Sequence, residues 1–162
     1  MTGPSGPGIL AGAVGMDERT LKRRLSALFR AQRLAVVATV TEGAPYTSLV
    51  AFYSTPDLRS IVFATMRSTN KYQNIKREPR VCVLVDDRGN TPEDIARAVT
   101  ASAMGRAGEV RRSQARLRRL FLKKHPYLAG FLRSPGCALI CVRPERYIFV
   151  NRFQEVSVLE MG

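Results

Sequence analysis

The side chains best suited to binding a ligand lie in one short stretch, which contains Thr65, Met66, Arg67, Ser68 and Lys71. Two hydroxyls and two cations close together are suited to a phosphate group, because cations form charge-assisted hydrogen bonds with its oxygens. A helix that begins here would add free backbone N–H groups and the positive end of its dipole. The stretch therefore predicts a phosphate site. The same residues also fit a capped surface helix with solvated charges, and the residue pattern alone leaves both interpretations open.

These residues lie at the junction of a predicted strand and a predicted short helix. The apolar runs 61–63 and 81–85 are typical of strands with little solvent on either face. The polar segment 68–77 between them is long enough for about two helical turns. Hydroxyl residues can cap its start, and Pro79 ends it. The sequence therefore predicts a strand, a turn, a short helix and a second strand, with the phosphate site at the first junction.

The rest of the chain favours a mostly antiparallel sheet. An amphipathic helix that begins at Asp17 directs one apolar stripe toward the core. Short links between successive strands, such as the turn at 41–45, favour antiparallel hairpins. Within a strand at 99–110, Gly105 and Gly108 mark predicted bulges or close backbone approaches. About seven strands and three or four helices suggest a small β-barrel with helices at its ends. Further strands are predicted at 34–40, 46–54, 137–142, 147–151 and 153–159, and a further helix at 111–124.

Length and composition indicate one domain. The chain has 162 residues, of which 45% are hydrophobic, and this is ordinary for a globular protein. Residues 1–15 are rich in Gly and Pro and are predicted to form a flexible N-terminal tail, followed by a single domain at 16–162. No apolar run approaches the roughly 20 residues that cross a bilayer, and the N-terminus lacks the pattern of a secretory signal. We therefore expect a cytoplasmic protein without a membrane span.

The net charge of +13 is concentrated in one segment. Residues 106–124 contain eight of the cations and a single carboxylate, Glu109. Such a segment attracts phosphate, nucleic acid or anionic lipid alike. No aromatic residues interleave with its arginines to stack on bases. A solvated or subunit-facing basic surface is therefore the favoured interpretation, and nucleic acid is not expected as a partner.

The sequence contains no pattern typical of a metal site or of a catalytic nucleophile. Three cysteines and one histidine, His125, lack the spacing of metal ligands, so no metal site is predicted. Cys137 and Cys141 would lie about 13 Å apart along a strand, which is too far for a disulfide. The sequence shows no set of serine, histidine and aspartate, and no cysteine with an adjacent base. It therefore identifies no catalytic residue.

Several motifs together resemble those of the pyridoxamine 5'-phosphate oxidase-like family, whose members are FMN-binding split β-barrels. The clearest is FATxxSTxK followed by NIxRxPRVxVLV, at 63–85. A P-x-x-S-x-V pattern at 45–50 and an L-x-x-H-P pattern at 122–126 also match, and the resemblance covers most of residues 17–155. It implies a mainly β fold with flanking α-helices, namely a split β-barrel of about six to seven mostly antiparallel strands.

The resemblance also implies a homodimer that binds FMN at the interface between its subunits. Because the flavin performs hydride or electron transfer, the implied function is that of an oxidoreductase acting on a small-molecule substrate that the sequence does not identify. The residues that the resemblance assigns to the cofactor are Ser48, Leu49 and Val50 along the flavin ring, Thr65 and Met66 beneath the ribityl chain, Arg67, Ser68 and Lys71 at the phosphate, and Asn74 and Thr100 as further contacts.

Departures from the family pattern limit what the resemblance implies. Asn70 stands where the vitamin oxidases place an arginine, and the chain lacks their C-terminal Arg-Leu-x-Pro segment, so their reaction is not expected here. One alternative is a binder of the deazaflavin cofactor F420, whose anionic tail also suits arginine and lysine. Another is a haem-degrading split barrel, for which His125 is the sole histidine available as a ligand. A third is a non-catalytic flavin- or nucleic-acid-binding module.

Overall fold

The computed structural model describes residues 15–111, 114–152 and 155–162. Most of the predicted tail at 1–15 therefore lies outside the described residues, as do residues 112–113 of the predicted helix 111–124 and 153–154 of the predicted strand 153–159. The elements are α1 (Glu18–Ala31), β1 (Leu34–Thr41), β2 (Ala44–Ser54), β3 (Ile61–Met66), α2 (Asn70–Arg77), β4 (Arg80–Asp86), α3 (Asp94–Arg97), β5 (Thr100–Glu109), α4 (Ala115–Lys124), α5 (Ala129–Arg133), β6 (Cys137–Asn151) and β7 (Glu155–Glu160).

The strands of the described ranges form a closed antiparallel barrel. Their order is β3-β2-β1-β4-β5-β6-β7, and an additional pairing joins β3 to β6. In that pairing Ile61 lies opposite Val142 and Met66 lies opposite Cys137. The pairing closes six strands into a barrel and leaves β7 as an extra strand on β6, so the predicted mainly β split-barrel class with flanking helices is confirmed.

The barrel interior holds the larger of two apolar cores. Alternate residues of each strand face inward, as the two-residue period of a strand requires. Helix α1 closes one end, and its Phe29 packs edge-on against both Phe52 and Tyr147, with ring centroids 5.7 Å apart in each pair. The predicted amphipathic helix is confirmed, with Leu21 and Leu25 also buried in this core.

A second, smaller core lies outside the barrel. It forms where α4 and α5 cover the outward faces of β3 and β6, and Phe121 of α4 packs there with Val62 and Leu139. No helix in the described part of the chain is long and apolar enough to cross a membrane. The edge of this helical layer borders an open cleft.

The prediction of two separate strands at 137–142 and 147–151 is wrong, because β6 runs without a break through both. The intervening sequence Arg-Pro-Glu-Arg contains a proline, which normally interrupts a sheet. Here the register with β5 shifts at this point, so that Met104 pairs with Arg146 and Gly105 pairs with Pro144. Glu145 is left without a β5 partner, and a bulge of this kind accommodates the proline.

The two glycines predicted to mark bulges or close approaches behave differently. A Cβ atom on Gly105 would lie 2.1 Å from the carbonyl oxygen of Arg143, so the β5–β6 approach at the bulge requires glycine. A Cβ atom on Gly108 would meet no atom within 4 Å. The prediction is therefore confirmed for Gly105 and wrong for Gly108.

Candidate functional site

The turn between β3 and α2 is fixed by hydroxyl hydrogen bonds. Thr69 is the N-cap of α2, and its Oγ1 accepts a long hydrogen bond of 3.4 Å from the Tyr72 amide. The same hydroxyl donates to the Met66 carbonyl at 2.9 Å and lies 2.8 Å from Thr65 Oγ1. Because Thr65 is itself buried, the end of the strand and the start of the helix are held in one geometry. The predicted strand–turn–helix junction is confirmed.

A cleft of about 370 Å³ opens beside this junction. Its floor is formed by β2 and β3, one end is the first turn of α2, and the opposite wall comes from α4 and α5. The cleft brings together half of the residues that the sequence assigned to a cofactor, namely Leu49, Val50, Thr65, Met66 and Lys71. The lining is mostly apolar, with threonine hydroxyls and one ammonium group at the α2 end.

Lys71 is the sole charged residue among the described residues that line the cleft. Burial lowers the pKa of its amine, and no carboxylate in the described ranges contributes an opposing effect. The first turn of α2 also contains no acidic residue to neutralise the positive end of the helix dipole. A partly desolvated cation and a helix N-terminus without an acidic residue therefore lie together, and both favour an anionic ligand.

Arg67 is directed into a different set of contacts. Its guanidinium forms an ion pair with Glu109 and donates to the carbonyl oxygens of Pro135 at 3.2 Å and Cys137 at 3.0 Å. The Tyr72 hydroxyl donates to the other oxygen of Glu109 at 2.8 Å. The guanidinium hydrogen bond is the main reason that the pKa of Glu109 lies below its usual value. The structure thus places Arg67 in a β3–α2–β5 cluster and not in the lining of the cleft.

Three other predicted residues lie next to the cleft without lining it. Ser68 is exposed in the turn that precedes α2. Asn74 is buried, and its amide donates to Thr39 Oγ1 at 3.0 Å, so it anchors α2 to β1. The hydroxyl of Ser48 is buried and has no hydrogen-bond partner among the described residues. On β2 Ser48 alternates with Leu49, which lines the cleft, so Ser48 lies on the inward face of the strand with Val50 and Phe52.

Thr100 is the predicted residue that the structure places far from the others. It pairs with Val150 near one end of β6, whereas Thr65 pairs with Ala138 near the other end. The two β6 positions are twelve residues apart (150 − 138), which corresponds to about 40 Å along an extended strand. Thr100 therefore does not share a site with Lys71 within one chain.

Sequence reasoning missed the far wall of the cleft and the partners of Arg67. Phe121, Leu128 and Phe131 form the wall, and their apolar character marks them in the sequence only as core candidates. Glu109 could have been noticed as the single carboxylate of the basic segment 106–124. Its contact with Arg67, however, depends on strand pairing across 42 residues, and no local pattern encodes that pairing.

His125 is a structural residue in this fold. Its side chain is fully buried, with Nε2 2.7 Å from the Phe52 carbonyl oxygen and Nδ1 3.0 Å from the Tyr127 hydroxyl. A carbonyl only accepts, so Nε2 carries the proton and Nδ1 accepts from the tyrosine. Burial is the main cause of its lowered pKa. Both ring nitrogens are therefore occupied within the chain.

The fold is shared with solved structures of low sequence identity. A haem-binding protein from Mycobacterium smegmatis superimposes with a TM-score of 0.77 at 15% identity, over 86% of this chain and 57% of that protein. The chain thus spans little more than half the length of that relative. The General Stress Protein 26 from Bacillus anthracis str. Sterne gives 0.65 at 19% identity, over 87% and 98% of the two chains. An FAD-binding protein from Mesorhizobium loti gives 0.60 at 18% identity, over 78% and 91%.

Sequence comparison identifies the family. No curated protein matches the sequence at a significant level. The family model described as Pyridoxamine 5'-phosphate oxidase, however, matches residues 21–151, which is 131 of the 162 residues. That span runs from the first buried turn of α1 to the end of β6 and includes the whole barrel. The chain belongs to the pyridoxamine 5'-phosphate oxidase family.

Proposed function

We propose that this chain is an FMN-binding flavoprotein and an oxidoreductase that acts on a small molecule. Proteins of this family commonly bind flavin, and one of the structural neighbours is an FAD-binding protein. The observation that carries the proposal is the cleft, in which Lys71 and the start of α2 lie at one end of a mostly apolar surface. A flavin mononucleotide has the matching polarity, with one phosphate at the end of a largely apolar ring system.

The described residues fit this cofactor. Lys71 and the free N–H groups of α2 would hold the phosphate, and the hydroxyl of Ser68 lies in the same turn. Thr65 and Met66 would lie beneath the ribityl chain. Leu49 and the neighbouring residues of β2 would lie along the flavin ring.

The contribution of the chain to the reaction is to bind and orient. Flavin, when bound, supplies hydride or electron transfer. The wall formed by Phe121, Leu128 and Phe131 would exclude water from one side of the cleft. No histidine, aspartate or glutamate lines the cleft within the described ranges. We therefore assign no catalytic residue.

The structure favours FMN over the two alternatives suggested by the same fold. A histidine-ligated haem is disfavoured, because both nitrogens of the sole histidine, His125, are engaged in hydrogen bonds within the chain. The deazaflavin cofactor F420 carries a longer anionic tail, which would need cations beyond Lys71. The nearest candidate, Arg67, is already paired with Glu109. One phosphate matched to one lysine is the simpler fit.

Flavin binding tests the proposal directly. We expect the purified protein to show flavin absorption, or to take up FMN on titration with a higher affinity than for riboflavin or F420. The extra affinity for FMN arises from the phosphate contact, because a hydrogen bond to a charged group contributes more than a neutral one. A protein without a flavin band that also fails to bind FMN would contradict the proposal.

We also propose that the site is completed by a second copy of the chain. Leu49 at the cleft is 66% exposed, and the exposed side chains of Tyr46 and Phe131 add apolar surface. A two-fold dimer would cover such a face on both subunits at once. It would also allow Thr100 of one subunit to approach the site of the other.

We expect light scattering at micromolar concentration to give a mass of about 36 kDa, twice the 18.0 kDa of the chain. The exposed apolar surface around Leu49 is the physical reason, because its burial favours association. A monomer that binds FMN tightly would show instead that one chain builds the whole site. If the Leu49→Asp variant still has the mass of a dimer, the interface lies elsewhere.

A further inference from the structure

A second concavity lies on the other side of the helical layer and has no role in the proposed cofactor site. It forms between the C-terminal half of α1, the C-terminal half of α4 and the link from β2 to β3, and it encloses about 360 Å³. Its walls are mostly apolar, with Phe29, Tyr53, Pro56 and Leu120 contributing. It shares no lining residue with the cofactor cleft. We call this concavity the α1–α4 groove.

The charged residues of the α1–α4 groove are all cations. Among the described lining residues they are Arg30, Lys123 and Lys124, and no carboxylate lines the groove. Several other cations of the chain have a carboxylate partner, as Lys22 has in Glu18. An apolar void bordered by unmatched cations suits a ligand that is itself apolar and negatively charged.

Lys124 is held at the base of the groove in a fixed position. Its ammonium donates to the carbonyl oxygens of Phe29 at 2.9 Å and Gln32 at 2.5 Å, at the C-terminal end of α1. It also lies 4.4 Å from the centre of the Phe52 ring. Burial and the neighbouring Arg33 lower its pKa to about 8, and the contacts with carbonyls and ring favour the charged form. At neutral pH the base of the groove is therefore cationic, and an anion there would offset the repulsion from Arg33.

The surrounding helices restrict the kind of anion. The groove lies against the C-terminal ends of α1 and α4, where the helix dipoles are negative. A doubly charged phosphate would be repelled by both ends. A single negative charge placed between the side-chain cations is repelled less strongly, and an apolar body against Phe29 and Leu120 gains from burial.

We infer that the α1–α4 groove is a binding site for a monocarboxylate with an apolar chain or ring. The carboxylate lies between Lys124 and the rim cations Arg30 and Lys123, and the apolar body fills the void beneath Tyr53. This site is independent of the flavin proposal, because the groove and the cleft share no lining residue.

The test is calorimetric titration of the full chain, saturated with FMN where FMN binds, with decanoate and separately with decan-1-ol. We expect decanoate to bind saturably with one site per chain, at least about tenfold more tightly than the alcohol. Equal affinities for decanoate and decan-1-ol would overturn the proposal, and so would the absence of decanoate binding. FMN occupancy of the cleft does not alter either expectation.

Matched variants locate the site. The double substitution of Arg30→Gln with Lys123→Gln removes two exposed charges and is expected to weaken decanoate binding about tenfold or more. Ser26→Phe places a ring in the groove without changing the charge and is expected to abolish binding. Arg119→Gln removes a cation of α4 outside the groove lining and is expected to leave the affinity unchanged. A loss from Arg119→Gln as large as the loss from the double substitution would show general electrostatic attraction in place of a site.

Discussion

Replacing Lys71 with methionine is expected to remove most of the affinity for FMN and little of the affinity for riboflavin. Methionine keeps an unbranched apolar side chain in the cleft but loses the ammonium group that would contact the phosphate in the proposed FMN complex. A hydrogen bond to a charged group contributes about 1.5–3 kcal/mol, which corresponds to roughly a tenfold to 150-fold weaker binding of FMN. Titration of both ligands, followed by the change in flavin fluorescence, measures the two losses side by side.

Two controls separate the phosphate contact from other effects. Lys76→Met removes the same charge from the exposed face of α2 and is expected to leave both affinities unchanged. Arg67→Met is expected to weaken FMN binding less than Lys71→Met, because the Arg67 guanidinium is bound to Glu109 and to two carbonyls. Equal losses of FMN and riboflavin affinity in Lys71→Met would mean that Lys71 supports the fold and does not contact the phosphate.

Gly105→Ala is expected to destabilise the protein by about 3 kcal/mol or more, at the upper end of the cost of overpacking. The added methyl carbon would lie 2.1 Å from the Arg143 oxygen and 2.8 Å from the Pro144 Cα. Both are backbone atoms of β6, so relief requires β5 and β6 to separate at the bulge. The midpoint of urea denaturation, with the slope of the transition unchanged, measures this loss.

Gly108→Ala is the matched control for this substitution. Both glycines lie on β5, but a Cβ atom on Gly108 meets nothing within 4 Å. We expect no destabilisation, and a gain of about 0.4–1 kcal/mol is typical when alanine restricts the unfolded chain at a compatible position. Similar losses in the two variants would show that strand propensity, and not the approach of Arg143, makes glycine necessary at position 105.

The sequence predicted best those features that depend on neighbouring residues. The β3–α2 junction follows from an apolar run, a capping hydroxyl and a proline within 19 residues of one another (79 − 61 + 1). The small barrel with helices at its ends followed from the number of strands and their short links, and the family resemblance added its split-barrel form. The position of Lys71 in the cleft also followed, because Lys71 is the second residue of α2 and so lies at the N-terminal end of the helix.

The remaining features depend on contacts between distant segments. The sequence placed Arg67 beside Lys71, but the chain turns its guanidinium toward Glu109, which reaches it through the pairing of β5 with β6 and of β6 with β3. The aromatic wall depends on which face α4 and α5 present to β3. The continuity of β6 through Pro144 depends on a bulge opposite Gly105. None of these can be derived from residue type alone.

The pairing that closes the barrel also sets the order in which the protein can fold. Ile61 and Val142 are 81 residues apart (142 − 61), whereas β1, β2 and β3 are joined by short turns. The hairpins can therefore form early, but β3 keeps an unpaired edge until β6 has been synthesised. Long-range pairing is slow because the chain between the strands must be ordered first. After β5 has been synthesised, β3 and β5 both keep open edges that can associate with other chains, and β6 is the segment that pairs with both.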